Sequence, residues 1–291
     1  MTIRPRRSCL YMPGANVKAL EKAKTLAADT LIFDLEDAVA PEAKADARAN
    51  IAAALAGGGY GRREIVVRVN GLTTPWGGDD IAGLAAKGAD AILVPKVDSG
   101  ADVEAAQRAL DAAGSTAALW VMIETPRAIL NIQDIAAAAG RTRLAAFVMG
   151  TNDLAKETRA SQTADRGPFW TALSLSVLAG RAFGLALIDG VYNDIEDAQG
   201  FEAVCRQGLA FGFDGKTLIH PSQIETCNTV FAPTADEVAQ ARDVIAAFAA
   251  PEAAGKGVLR VNGKMTELLH LEQAKRTVAV ADAIAAAEAP Q

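Results

Sequence analysis

Glu124 and Asp153 have the residue types and spacing to hold a metal ion. Each follows a short apolar run, Leu119–Ile123 for the first and Leu144–Met149 for the second. Two carboxylates one strand apart, opening into one cleft, can share a hard cation. Mg²⁺ takes one or two carboxylates, keeps several waters and leaves positions for substrate oxygens. The same acids would also serve as caps for the helices that follow. Arg68 ends a third run, Ile65-Val66-Val67-Arg68-Val69. A guanidinium there is costly to bury unless it meets carboxylates or an anionic ligand. Glu36 and Asp37 are the acids it would pair with, and an ion pair and an anionic substrate can use it together. Gly150-Thr151-Asn152 can present successive backbone N–H groups to a substrate carboxylate. Lys18 and Lys22 lie one helical turn apart after Pro13-Gly14. They make either a cationic face suited to phosphates or a solvated helix face.

The remaining chemistry narrows by elimination. His220 and His270 read as capping or buried structural groups, which leaves acid–base work to carboxylates, Lys or Tyr. Cys9, Cys205 and Cys227 are far apart, with no C-x-x-C or Cys/His cluster, so structural zinc and a disulfide framework are not expected. A reducing cytoplasm fits that cysteine usage.

These residues need elements that bring them together. Short apolar runs recur at Ser8–Met12, Thr30–Leu35, Glu64–Val69, Ala89–Val94, Leu119–Ile123, Leu144–Met149, Leu185–Ile188 and Asp214–Ile219. Each is followed by an alanine-rich amphipathic stretch, at a spacing of mostly about 25 residues, the length of one βα unit. The pattern predicts an α/β fold, a (β/α)8 TIM barrel, whose runs are apolar because parallel strands are buried on both faces. An open doubly wound sheet is the runner-up, disfavoured because no G-x-G-x-x-G follows the first strand. Helices are expected over Glu42–Leu55, Arg127–Ala139, Phe169–Phe183 and Val238–Ala249, with a polar stretch Lys156–Gly167 between the sixth and seventh runs. Glycine-rich Ala253–Gly263 reads as a loop or small hairpin, and a last helix as roughly Thr266–Ala287. Residues 1–232 are therefore expected to form the barrel, and 233–291 a C-terminal helical arm packing on it or on a neighbouring subunit.

A barrel of this type carries its site at the C-terminal ends of its strands. Polar residues gather there: Tyr11, Glu36 and Asp37, Arg68 and Asn70, Lys96, Glu124, Asn152 and Asp153, and Asp214 with Lys216. The chain has 291 residues, 51% of them hydrophobic and 22% charged, with a net charge of −6. That acidity argues against a nucleic-acid partner. No apolar run reaches about 18 residues, so no membrane span is expected.

In order along nearly the whole chain, the motifs Arg7-Ser8-Cys9-Leu10-Tyr11-Met12-Pro13-Gly14, Asp34-Leu35-Glu36-Asp37-Ala38-Val39-Ala40-Pro41, Val67-Arg68-Val69-Asn70, Leu93-Val94-Pro95-Lys96-Val97, Ile123-Glu124-Thr125, Gly150-Thr151-Asn152-Asp153-Leu154-Ala155 and Gly212-Phe213-Asp214-Gly215-Lys216-Thr217-Leu218-Ile219-His220-Pro221 resemble the citrate lyase β-subunit-like enzymes. These belong to the wider HpcH/HpaI aldolase group, with malyl-CoA and citramalyl-CoA lyases. The resemblance implies a homo-oligomer, trimer or hexamer, with Mg²⁺ on Glu124 and Asp153. It implies that Arg68 contacts the reacting oxygens, with Glu36 and Asp37 beside it, and that Tyr11, Lys18 and Lys22 hold a CoA thioester. Glu124, Gly150, Thr151 and Asn152 would complete the substrate contacts. In this family the arm reaches a neighbour's site and supplies an acid in the pattern Gly-x-Met-Ile-Asp. Here the stretch is Gly263-Lys264-Met265-Thr266-Glu267, with Glu267 one methylene longer and Thr in place of an apolar residue. Thr151-Asn152 also departs from the small or acidic residues of the pattern.

The activity implied is Mg²⁺-dependent carbon–carbon lyase chemistry on a 3-hydroxyacyl-CoA thioester. It gives acetyl-CoA or a homologue and a 2-oxo acid, or runs as the reverse condensation with possible thioester hydrolysis. The alternatives are a 2-oxo acid aldolase that uses no CoA and a non-catalytic subunit binding acyl-CoA or an acyl carrier protein.

Overall fold

Eight parallel strands close on themselves in a computed structural model that describes residues 3–289. They are β1 Ser8–Pro13, β2 Thr30–Asp34, β3 Glu64–Arg68, β4 Ala91–Val94, β5 Ala118–Ile123, β6 Leu144–Met149, β7 Ala186–Asp189 and β8 Gly215–Leu218. Each pairs with the next in sequence, and β8 pairs with β1, so no strand edge is left open. Helices lie between the strands. The TIM barrel expected from the apolar rhythm is the observed fold.

Alternation within the strands fills the barrel. Cys9, Ile32, Val66, Ala91, Leu93, Trp120, Met122, Ala146, Val148 and Ile188 form one buried cluster. Trp120 is its largest member and pairs in register with Ala146 of the next strand, a small residue beside a large one. At the N-terminal end, Arg6 grips Glu64 with two hydrogen bonds of 2.6 and 2.7 Å and lies 5.0 Å from the Trp120 ring centre. Arg7 holds Asp29 in the same two-pronged way, at 2.9 and 2.8 Å. This end is closed by ion pairs, which leaves the C-terminal end for chemistry.

Several helices depart from their expected bounds for local reasons. The segment expected as one helix, Arg127–Ala139, is Pro126–Leu130, then Ile132–Ala137, then a 3₁₀ turn Ala138–Gly140. The break falls at Asn131, whose side-chain amide donates to the Asp98 carbonyl at 2.9 Å. That bond ties Asn131 to a loop 33 residues earlier, and its backbone leaves helical geometry at φ −105° and ψ 14°. The polar stretch from Lys156 is not all loop, because helix Thr151–Thr158 runs into it. That helix stops at Arg159, in a left-handed conformation at φ 57°.

The residues fall into two compact units, 6–228 and the rest. In the second, the Thr234–Glu237 capping box starts helix Ala235–Ala249 three residues before its expected start. Asn262-Gly263, both at positive φ, make the two-residue turn of hairpin β9 Val258–Val261 and β10 Lys264–Glu267. Thr266 and Glu267, expected in the last helix, are therefore strand residues. The helix is Leu268–Glu288, with Glu267 as its N-cap.

Candidate active site

Arg68 is the centre of the cluster at the barrel mouth. Its Nε and Nη2 each donate to Asp34, both at 2.7 Å. Nη1 lies 2.8 Å from Glu36 Oε2 and 3.3 Å from Asp37 Oδ2. The Glu36 contact is poorly aligned for hydrogen bonding, so that buried oxygen has no hydrogen-bond partner. The guanidinium also lies 4.6 Å from the Tyr11 ring centre. The principal partner of Arg68 is thus Asp34, two residues before Glu36 and three before Asp37, the acids expected. Asp34 faces Arg68 directly across the β2–β3 pair. It also accepts from the N–H groups of Glu36 at 2.9 Å and Ala38 at 3.2 Å. Lys44 holds the carbonyls of Leu35 and Glu36, at 2.7 and 2.8 Å, so the loop bearing Glu36 is fixed from two sides.

This crowding sets charge states. Burial pushes the Glu36 carboxyl up to about 8; Arg68 opposes the shift, while Glu124, Asp37 and Asp34 add to it. Burial alone would favour a neutral Arg68, yet the Asp34 carboxylate, by charge and by hydrogen bonds, keeps it firmly protonated. Burial raises the Tyr11 hydroxyl as well.

Glu124 and Asp153 meet at a lysine. Lys96 Nζ lies 2.6 Å from Asp153 Oδ1 and 3.4 Å from Glu124 Oε1. The Lys96 backbone N–H donates to Glu124 Oε1 at 2.7 Å, from a left-handed conformation at φ 56°. Glu124 is fully buried, and its Oε2 has no hydrogen-bond partner. Burial raises its carboxyl, with Lys96 opposing the shift. Gly150 is what makes room: a Cβ there would meet Glu124 Cβ at 2.4 Å and Oε2 at 2.5 Å. No group of three metal-binding side chains occurs among the described residues. The two carboxylates nonetheless fit a hard cation, since one positive nitrogen already touches both and Glu124 Oε2 lacks a partner. Lys96 and Asp34 had no assigned role from sequence. Their only signal was their place at strand ends.

Tyr11, Asp34, Asp37, Arg68, Met122, Gly150, Thr151, Asn152 and Asp153 line one cavity of about 280 Å³. Glu36 adjoins it through Arg68. Gly150-Thr151-Asn152 is the start of helix Thr151–Thr158 rather than a free loop, and no side chain caps that end. Lys18 and Lys22 sit exposed on helix Val17–Ala23 and do not line the cavity. Glu267 belongs to the other compact unit, where it forms a capping box with His270. His220 likewise caps a 3₁₀ turn with Gln223. Both histidines are therefore structural caps.

The model of the HpcH/HpaI aldolase/citrate lyase family matches residues 7–221. The chain belongs to that family. This HpcH/HpaI family enzyme is 49% identical over 282 residues to a (3S)-malyl-CoA thioesterase of Cereibacter sphaeroides, covering 97% of this chain and 96% of the relative. It is 35% identical over 309 residues to an L-malyl-CoA/beta-methylmalyl-CoA lyase of the same species, with the same coverage. Among solved structures it is similar to CitE of Mycobacterium tuberculosis in complex with magnesium, acetoacetate and coenzyme A. The TM-score is 0.77 and the identity 28%, over 97% of this chain and all of that one. Among the described residues, no helix of the family member is long and apolar enough to cross a membrane.

Proposed function

We propose that this enzyme acts on a 3-hydroxyacyl-CoA thioester of the malyl-CoA or citramalyl-CoA class, with Mg²⁺ as its cofactor. Its net reaction on malyl-CoA is hydrolysis of the thioester. The observation that carries the reading is the pair Glu124, just after β5, and Asp153, in the first turn of the helix after the neighbouring β6, both reached by Lys96 Nζ. These two side chains would hold the ion. When bound, Mg²⁺ would supply the positive charge that acidifies a substrate hydroxyl.

Arg68 places fixed positive charge where the thioester oxygen turns negative. In hydrolysis, water adds to the thioester carbonyl, the C–S bond breaks and CoA leaves as the thiol. In carbon–carbon cleavage, the hydroxyl loses its proton and becomes the carbonyl of glyoxylate or pyruvate. The carbon–carbon pair passes to the thioester as an enolate, which then takes a proton on carbon. Both routes load the same oxygen. Glu36, protonated near neutral pH, and exposed Asp37 are the groups beside Arg68 that would give and take protons. Gly150, Thr151 and Asn152 would hold the substrate carboxylate at the helix start. Tyr11, Lys18 and Lys22 would hold the thioester and its phosphates. Glu267 of a neighbouring copy, in a homo-oligomer, would move the proton at the α-carbon directly or through a water.

The higher identity to the thioesterase favours hydrolysis as the net outcome. Carbon–carbon cleavage is the second reading, favoured by the likeness to the lyase. Incubating malyl-CoA with protein and Mg²⁺ separates them by mass spectrometry. Malate and free CoA are expected; acetyl-CoA with glyoxylate would install the second reading, and an unchanged thioester would remove both. Glu124→Ala and Asp153→Ala should each abolish turnover while leaving the circular dichroism spectrum intact. Near-normal turnover in either variant removes the metal assignment.

A further inference from the structure

Beside the reaction cavity lies a second one, of about 310 Å³. The two share Thr151, Asn152, Val191 and Asn193. Asn152 and Asn193 exchange side-chain hydrogen bonds in both directions, at 3.1 and 2.9 Å. Gln162 adds a third, to Asn152 Oδ1 at 2.8 Å. These amides form a wall common to both spaces.

The second cavity is lined by Arg166, which is only 9% exposed. Its Nη1 donates to both oxygens of Asp189, at 2.8 Å each, and its Nε to Gln207 at 2.6 Å. Lys216, fully buried, lies 3.0 Å from the same Asp189 and also bonds the Gly190 carbonyl. One buried carboxylate therefore serves two buried cations. Arg166 Nη2 is itself buried with no hydrogen-bond partner. Asp194, the one acid lining the cavity, accepts instead from the backbone of Glu196 and Asp197, at 3.1 and 3.3 Å. Phe169, Val191 and Val204 make the walls apolar.

Surplus buried charge and an idle buried donor each oppose folding unless something meets them. We propose that this second cavity binds a small aliphatic carboxylate, with Arg166 as its anchoring cation and Asn152 with Asn193 dividing it from the reaction cavity. The carboxylate is a free acid, since the single carboxylate of the proposed substrate is already held at the helix start in the reaction cavity. The site does not depend on the metal reading above.

Succinate is the probe, titrated into the intact protein by calorimetry. Wild type and Glu124→Gln should bind it alike, because the site is separate from the metal pair. Arg166→Met should bind at least about tenfold more weakly, a loss of about 1.4 kcal/mol. Ala164→Phe, at an exposed loop position on the cavity wall, fills the space without touching the Asp189 network. It should lose succinate too, which keeps the test intact if Arg166→Met does not fold. Absence of binding to wild type at about 10 mM overturns the proposal. So does binding that vanishes in Glu124→Gln, or that survives unchanged in both cavity variants. Succinate should bind without competing with the thioester in turnover; full competition would place it in the reaction cavity and overturn the proposal.

Discussion

Three carboxylates, Asp34, Glu36 and Asp37, surround the single guanidinium of Arg68, and that excess has a thermodynamic signature. Asp34 takes the two straight hydrogen bonds, so Glu36 is left buried with a poorly aligned contact and retains its proton up to about pH 8. The folded state thus binds a proton that the unfolded chain, with Glu36 near its ordinary 4.5, has released. Stability from this source is complete below about pH 4.5 and is lost as the pH rises through about 8. With metal chelated, the melting temperature should fall across that window, and Glu36→Gln should flatten the slope. A variant as steep as wild type would remove Glu36 as the cause. Gly150 poses the complementary test, because its hydrogen is all that fits beside Glu124. Gly150→Ala should cost about 1–3 kcal/mol in denaturant unfolding and displace Glu124. It should also weaken Mg²⁺ binding in calorimetry; unchanged affinity would show that the Glu124 position does not matter to the ion.

Strands carried most of what the sequence could say, because a period of apolar runs survives small errors in their ends. The barrel, its strand order and the gathering of Glu124, Asp153, Arg68 and Tyr11 at one mouth all follow from that rhythm. Partner choice does not. Whether Arg68 meets Asp34 or Glu36 depends on strand register, and register is set by pairing across the barrel rather than by local pattern. Lys96 bridges two acids through an unusual backbone conformation that no residue type announces. The arm shows the same limit: Asn262-Gly263 is a legible turn, yet the shift of Glu267 from helix to N-cap required seeing the hairpin. That shift gives Glu267 two separable uses. Glu267→Ala should lose the capping interaction, about 1 kcal/mol of stability by thermal melting. Glu267→Gln keeps a capping oxygen and should melt near wild type, yet still lose turnover if the carboxylate does chemistry. Full turnover in Glu267→Gln would leave this residue a cap and nothing more.

At the scale of the molecule, the acid at position 267 and the pair Glu124 and Asp153 belong to different compact units of the chain. The hairpin and helix around Glu267 also expose large apolar side chains: Val258, Met265, Leu268 and Leu269 are each at least half exposed. Such surface on an otherwise acidic protein suits contact with another copy. If each site joins one copy's barrel to another copy's arm, two inactive variants can repair each other. Glu124→Gln keeps a sound arm on a dead barrel, and Glu267→Gln keeps a sound barrel with a dead arm. Co-expressed in equal amounts and assembled at random, half the barrels are sound and half of those meet a sound arm. About a quarter of wild-type activity should therefore return, in a ring of any size. Activity within one chain would return nothing, because no single chain in the mixture carries both residues. Light scattering on the same sample fixes the copy number, and a monomeric species with full activity in the wild type would exclude a shared site.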